Sequence, residues 1–303
     1  IVAMPTSTVT LHSVVAHPDG RHVRALERFE QFERRSWPLR SVFEHCPVGP
    51  DPWLDVLERT NGTPAAVGNL VRLALLDRLG GVYLDTDTIV VAPLDDPDHT
   101  GPYVGTEMVW SCNRRRVARE LGVRDVVGAA PWAVARGAQL ADVHLAGGRL
   151  RLADRWRPGL RPQVNNAVIG SSASSPFLAE VLAGVGSVPN PAARFALGPS
   201  LLDDVARARP DLVTCLDPVR FYAIPPGQSR RWFDDVTIEL PEEAQVSHYV
   251  ASNHRELLAA IETDPRLRRH PAPFWREARR VTAASDRVAT RRTSRATRVG
   301  VAG

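Results

Sequence analysis

The sequence predicts a single α/β domain. Two observations carry that expectation. Helical and extended apolar patterns alternate from Thr8 to Glu262. At the centre of the run an unusually apolar helix, Ala65 to Leu79, turns at Gly80-Gly81 into a strand. No internal repeat interrupts the series, and no apolar run is long enough to span a bilayer.

Thr8 to Val15 alternates as a first strand and ends at the turn-forming His17-Pro18-Asp19-Gly20. Arg21 to Arg35 reads as an amphipathic helix, with Val23, Leu26, Phe29 and Phe32 along one face. A short helix is expected over Pro52–Arg59. In Ala65–Leu79, the residues Val67, Leu70, Val71, Ala74 and Leu75 form the buried stripe. Val82-Tyr83-Leu84 then runs as a strand into Asp85, and Ile89 to Ala92 continues extended. The stretch from Gly105 to Pro162 reads as less regular, with helices around Asn113–Leu121 and Pro131–Leu145. Beyond it come a strand over Asn166–Gly170, helices over Pro176–Val185 and Leu197–Arg207, and a strand over Leu212–Cys215. Val246–Val250 is expected as the last core strand and His254–Glu262 as the closing helix. The domain is expected to occupy residues 1–265, and 266–303 to form an Arg/Ala-rich tail, disordered from about Ser285.

Composition narrows the function. The formal charge is +4, and every one of the 38 basic residues is arginine. Much of the excess falls after Arg276, which reads as a solvated tail, and no nucleic-acid-binding signature accompanies it. Cys46, Cys112 and Cys215 lack any C-x-x-C spacing, so neither a zinc site nor a disulfide framework is expected. The opening segment has no basic stretch followed by an apolar one, unlike a secretory signal.

The chemistry centres on Asp85-Thr86-Asp87. In extended chain, residues i and i+2 face the same side, so both carboxylates would point together. Such a pair suits Mg²⁺ or Mn²⁺, with phosphate oxygens and water completing the shell. The five residues from Gly80 to Asp85 cover about 16 Å. Arg72 and Asn69 lie roughly 10 and 15 Å back along the preceding helix, on one face of it. Both therefore come alongside the carboxylates.

The run G-N-L-V-R-L-A-L-L-D-R-L-G-G-V-Y-L-D-T-D-T-I, Gly68 to Ile89, resembles the sugar-binding region of DxD glycosyltransferases. That group includes the capsular-polysaccharide-type transferases of family 32, the α-1,4-galactosyltransferases and the glucosylating clostridial toxins. Arg72, Leu76, Gly80, Gly81, Tyr83, Asp85 and Asp87 match its pattern. Asn165-Asn166-Ala167 followed by Ser175-Pro176-Phe177-Leu178, Gly198-Pro199-Ser200-Leu201-Leu202, and Ser247-His248-Tyr249 are similar to later segments of the same group. Asn69 departs from it, standing where the group has an aspartate that contacts the donor sugar, and Gly68 replaces a serine.

The resemblance implies a GT-A-like nucleotide-sugar-binding fold, with a central mixed sheet flanked by helices. It implies a hexosyltransferase of polysaccharide biosynthesis, dependent on Mn²⁺ or Mg²⁺, that retains anomeric configuration. Asp85, Asp87 and His248 would hold the metal. Asn69, Arg72, Tyr83, Asp85 and His248 would bind the donor, and Asp85, Asp87, Arg72 and Asn166 would serve catalysis. A UDP-sugar is the favoured donor and a glycan, lipid-linked or small-molecule acceptor the partner. A cytoplasmic location is expected, with at most peripheral contact at the inner membrane face through residues such as Arg291, Arg292 and Arg295. Trp37, Trp53, Trp110, Trp132, Trp156, Trp232 and Trp275 are candidates for stacking on uracil or sugar. Two alternatives stay open. One is a haloacid dehalogenase-type phosphatase using Asp85 as nucleophile, set against the absence of any lysine for its phosphate site. The other is an inactive relative that binds a nucleotide sugar without turnover.

Overall fold

The computed structural model of the chain describes residues 7–14, 21–46 except 28, 49–110, 160–224 except 194, 229–234, 239–260 and 271–280 except 278, with isolated positions between 134 and 141. Its strands are β1 (Val9–Ser13), β2 (Phe32–Ser36), β3 (Gly81–Leu84), β4 (Thr88–Val90), β5 (Tyr103–Trp110), β6 (Leu160–Ser171), β7 (Thr214–Leu216) and β8 (Val246–His248). The helices, in chain order, are α1 (Arg21–Leu26), α2 (Leu39–Val42), α3 (Asp51–Arg59), α4 (Pro64–Leu79), α5 (Pro97–Thr100), α6 (Pro176–Gly184), α7 (Leu201–Ala208), α8 (Pro218–Phe221), α9 (Arg231–Asp234) and α10 (Arg255–Ala260).

The main sheet has four strands in the order β3-β6-β5-β7. β6 is antiparallel to both neighbours, whereas β5 and β7 are parallel, so the sheet is mixed. β1 and β2 form a separate parallel pair, and β4 and β8 a separate antiparallel one. Successive residues of β5 face opposite cores, as the pleat requires. Val104 packs with Leu70, Leu73, Phe177 and Leu202 under α4, α6 and α7. Tyr103 packs with Phe221, Tyr222 and Val246 on the other side. A third cluster, built from Ile224, Trp232, Phe233, Ala272, Phe274 and Trp275, takes Tyr249 and Ile89 against it. The α/β expectation holds, and the architecture is the mixed sheet flanked by helices of a GT-A-like fold.

α4 is buried more widely than a single stripe: Ala66, Leu73, Leu76 and Asp77 join Leu70, Ala74 and Leu75, while Val67 and Val71 are only half-buried. Gly80 closes it at φ 65°, where a side chain would be strained and a Cβ would also meet the Ala173 amide at 2.7 Å.

Four expectations are corrected. The helix expected over Arg21–Arg35 stops at Leu26, and Phe32–Ser36 is a strand pairing residue for residue with β1. The i, i+3 spacing of Leu26, Phe29 and Phe32 suits a helix, but the long-range ladder wins over it. Tyr103–Trp110, overlapping the stretch read as irregular, is a central strand, and β6 is far longer than Asn166–Gly170. Leu197–Arg207 is not one helix: a π-helical turn over Ala196–Ser200, with Pro199 inside, precedes α7. The helix expected over Asn113–Leu121 and the tail from Ser285 lie outside the described residues, as does nearly all of Pro131–Leu145.

Gly170 marks the tightest packing of the main sheet. A Cβ there would fall within the ring of Tyr103, itself 2% exposed and unable to swing away. Gly170→Ala is expected to lower stability by roughly 1–3 kcal/mol, measured by urea unfolding.

Candidate active site

α4, the Gly80-Gly81 turn and β3 carry Asn69, Arg72, Tyr83 and Asp85 to one place. Arg72 Nη1 lies 3.0 Å from Asp85 Oδ1 and donates to the Asn166 carbonyl at 2.6 Å. Its guanidinium covers the Tyr83 ring at 4.4 Å from the centroid. The Tyr83 hydroxyl donates to Asp85 Oδ1 at 2.6 Å. Burial pushes that hydroxyl's pKa well up, Arg72 opposing and Asp85 adding to the rise, so it remains a proton donor. Asp85 is thereby fixed through one oxygen.

Asp85 and Asp87 are not joined by extended chain. Thr88 donates through both its amide and its hydroxyl to the Asp85 carbonyl, at 3.2 and 2.7 Å, closing a turn. The turn leads into β4, where Thr88 pairs with His248 of β8. Asp87 Oδ1 then lies 3.2 Å from His248 Nε2, and Oδ2 accepts from the Ala251 amide at 2.9 Å. One ligand atom from each of Asp85, Asp87 and His248 falls within 4.8 Å of the others. It is a tight turn and a cross-strand pair, rather than pleat alternation, that unites the three.

Burial disfavours the Asp87 carboxylate, but the His248 contact and the Ala251 amide outweigh it, so its pKa lies below the usual carboxylate value. A depressed carboxyl contributes stability above its unfolded value of about 3.9 and loses it as pH falls through the lowered one. The stability difference between the wild type and Asp87→Asn is therefore expected to narrow as pH falls from about 5 through the lowered pKa, in urea titrations across acidic pH.

Asn166 Nδ2 donates to Asn69 Oδ1 at 2.7 Å. Gly198, in the π-helical turn, packs against this pair: a Cβ would meet Asn166 Nδ2 at 2.5 Å and Asn69 Nδ2 at 2.8 Å. All the residues predicted for the site, namely Asn69, Arg72, Tyr83, Asp85, Asp87, Asn166 and His248, are thus linked through contacts around Arg72 and Asp87. Four tryptophan side chains are described, and they pack elsewhere; that of Trp110 lies outside the description. Trp53, Trp232 and Trp275 are at most 3% exposed and pack inside cores, and Trp37 donates to His12 Nδ1 at 2.9 Å beneath Arg78. Trp132 and Trp156 lie outside the described residues.

The sequence did not point to the Ala251 amide or to Gly198's close approach. Val250 precedes Ala251 with φ 53°, a left-handed conformation rare for a β-branched residue. Burial against the third cluster pushes its neighbour Tyr249 to about 12, and the Tyr249 amide donates to the Asp87 carbonyl at 3.2 Å. Glu107, Asn165 and Tyr222 also line the back of the site. Of these, only Asn165 falls in a segment that the sequence singled out.

The family model for the glycosyltransferase sugar-binding region containing a DXD motif matches residues 12–104. No curated protein matches the chain. The matched stretch runs from β1 into the start of β5 and contains Asn69, Arg72, Tyr83, Asp85 and Asp87. Asn166 and His248 lie beyond it and join it through contacts alone. No helix among the described residues is long and apolar enough to cross a membrane.

Proposed function

We propose that the chain is a metal-dependent hexosyltransferase that moves a sugar from a nucleotide-sugar donor, UDP-sugars favoured, to a glycan, lipid-linked or small-molecule acceptor with retention of configuration. The observation that carries this reading is the convergence of Asp85, Asp87 and His248 within 4.8 Å, beside Arg72, in a sugar-binding region. The donor set fits a divalent cation. Two ligands at right angles on an ion at about 2.1 Å stand roughly 3.0 Å apart, close to the 3.2 Å between Asp87 Oδ1 and His248 Nε2. Two carboxylates suit Mg²⁺ or Mn²⁺, and the imidazole nitrogen tilts the choice to Mn²⁺.

When bound by Asp85, Asp87 and His248, such a cation would supply positive charge against a departing diphosphate. The chain's own residues do the rest. Tyr83 and Arg72 hold one oxygen of Asp85 and leave the other for the cation. Arg72 presents a permanent charge to the donor, and Asn69 and Asn166 offer amide donors and acceptors to sugar hydroxyls. Asn69 carries no charge where relatives carry one, which favours a donor whose hydroxyl pattern is met by an amide. Retention rests on the resemblance, with leaving-group stabilisation supplying most of the rate. The phosphatase alternative gains nothing from this geometry, because Asp85 Oδ1 is engaged by Tyr83 and Arg72 and the chain contains no lysine.

The test is release of nucleoside diphosphate across a panel of UDP- and GDP-sugars with and without Mn²⁺. Metal-dependent release from one donor is expected. Cleavage of p-nitrophenyl phosphate with no action on any donor would overturn the reading, and donor binding without release under any acceptor would place the chain among inactive relatives.

A further inference from the structure

A largely buried polar group, of which only His248 belongs to the proposed donor site, stands behind the metal ligands. Its members come from three separated segments. Glu107 lies on β5, opposite Gln163 of β6. Asn165 lies near enough to Glu107 to pull its carboxyl pKa down, and its Oδ1 accepts from the Tyr222 hydroxyl at 2.8 Å and from the Ala167 amide at 2.8 Å. The Tyr222 ring meets His248 edge-on, with centroids 5.5 Å apart. With both its acceptor positions taken, Asn165 Oδ1 leaves only the amide nitrogen to face Glu107.

Two atoms of this group are sealed from solvent without a partner: Glu107 Oε2 and His248 Nδ1. Leaving such a buried polar atom without a partner is costly, so each calls for one. One is an acceptor and the other a ring nitrogen able to carry a proton, so a single N–H between them satisfies both. The placement also suits ligation. A histidine that gives Nε2 to a metal must carry its proton on Nδ1, and that proton needs an acceptor. Burial pushes the Glu107 carboxyl up, while Asn165 and His248 pull it down, consistent with the two groups sensing one another.

We propose that Glu107 is a positioning residue for His248: with a cation bound, its Oε2 accepts the Nδ1 proton through one water or a small side-chain shift, which leaves the Nε2 lone pair for the cation held by Asp85 and Asp87. The inference rests on the metal reading above but can be tested apart from it. Glu107→Gln is the sharpest variant. It removes the acceptor carboxylate, and an amide nitrogen turned to His248 would favour the opposite tautomer, with the proton on Nε2.

Mn²⁺ binding to the full chain, followed by electron paramagnetic resonance, is compared for wild type, Glu107→Gln, His248→Ala and the double variant. The expected result is a loss of about 10–100-fold in Mn²⁺ affinity in Glu107→Gln, and no further loss when Glu107→Gln is added to His248→Ala. Wild-type affinity in Glu107→Gln, or an equal loss in the His248→Ala background, overturns the proposal. Should wild type itself bind no Mn²⁺, the metal reading fails, and the His248 ring nitrogens in a long-range ¹H–¹⁵N spectrum of the metal-free protein decide the contact. A Nδ1 resonance that moves in Glu107→Gln supports it, and one that does not move overturns it.

Discussion

Asp87→Asn is expected to lower donor turnover about 10³-fold, because it removes charge where the departing diphosphate must be neutralised. Asp87 Oδ1 lies 3.2 Å from His248 and Oδ2 takes the Ala251 amide, so the asparagine keeps the shape of the turn and loses the anion. Folding should therefore survive near neutral pH while Mn²⁺ affinity falls with turnover. Circular dichroism and Mn²⁺ titration on the same preparation check this. A variant that keeps its Mn²⁺ affinity while losing turnover would move Asp87 out of the metal set.

Arg72 should separate from the metal ligands in the opposite sense. Its side chain is 11% exposed and spans Asp85, the Asn166 carbonyl and the Tyr83 face. A lysine cannot meet all three, because an ammonium has neither the planar fork nor the flat stacking surface. Arg72→Lys is expected to reduce turnover about 10²-fold. Arg72→Ala should cost more, and should lower stability by about 1–3 kcal/mol by stripping partners from half-buried acceptors. Mn²⁺ affinity should stay level or rise in both variants, since the cation that competes for Asp85 has been weakened or removed. The contrast with Asp87→Asn is read by the same Mn²⁺ titration.

Much of this site was legible before any coordinates, because it is encoded locally. A helix, a glycine turn and a short strand fix Asn69, Arg72, Tyr83 and Asp85 by their rise per residue alone, and the distances along them needed no tertiary knowledge. Asp87 was placed correctly for an incorrect reason. The carboxylates meet through the Thr88 turn rather than through an extended backbone. His248 and Asn166 came from likeness to later segments of relatives; their positions depend on the β4–β8 and β3–β6 ladders, which leave no mark in either strand separately.

What the sequence concealed follows the same division. Phe32–Ser36 carries four polar or charged residues of five and reads as helix surface until β1 is laid beside it. Tyr103–Trp110 mixes glycine, threonine and glutamate because its two faces meet different environments, an apolar core on one side and the Asn165–Tyr222 group on the other. Glu107 is the residue most thoroughly hidden. Its surroundings come from β6, α8 and β8, whose segments stand far apart in the chain.

The central claim, that Asp85, Asp87 and His248 form a metal-dependent nucleotide-sugar site, is tested most directly by calorimetric titration of UDP into the full chain with and without Mn²⁺. The account predicts UDP binding that requires Mn²⁺ and disappears in Asp87→Asn. UDP binding of equal strength without metal, or unchanged in Asp87→Asn, would contradict it.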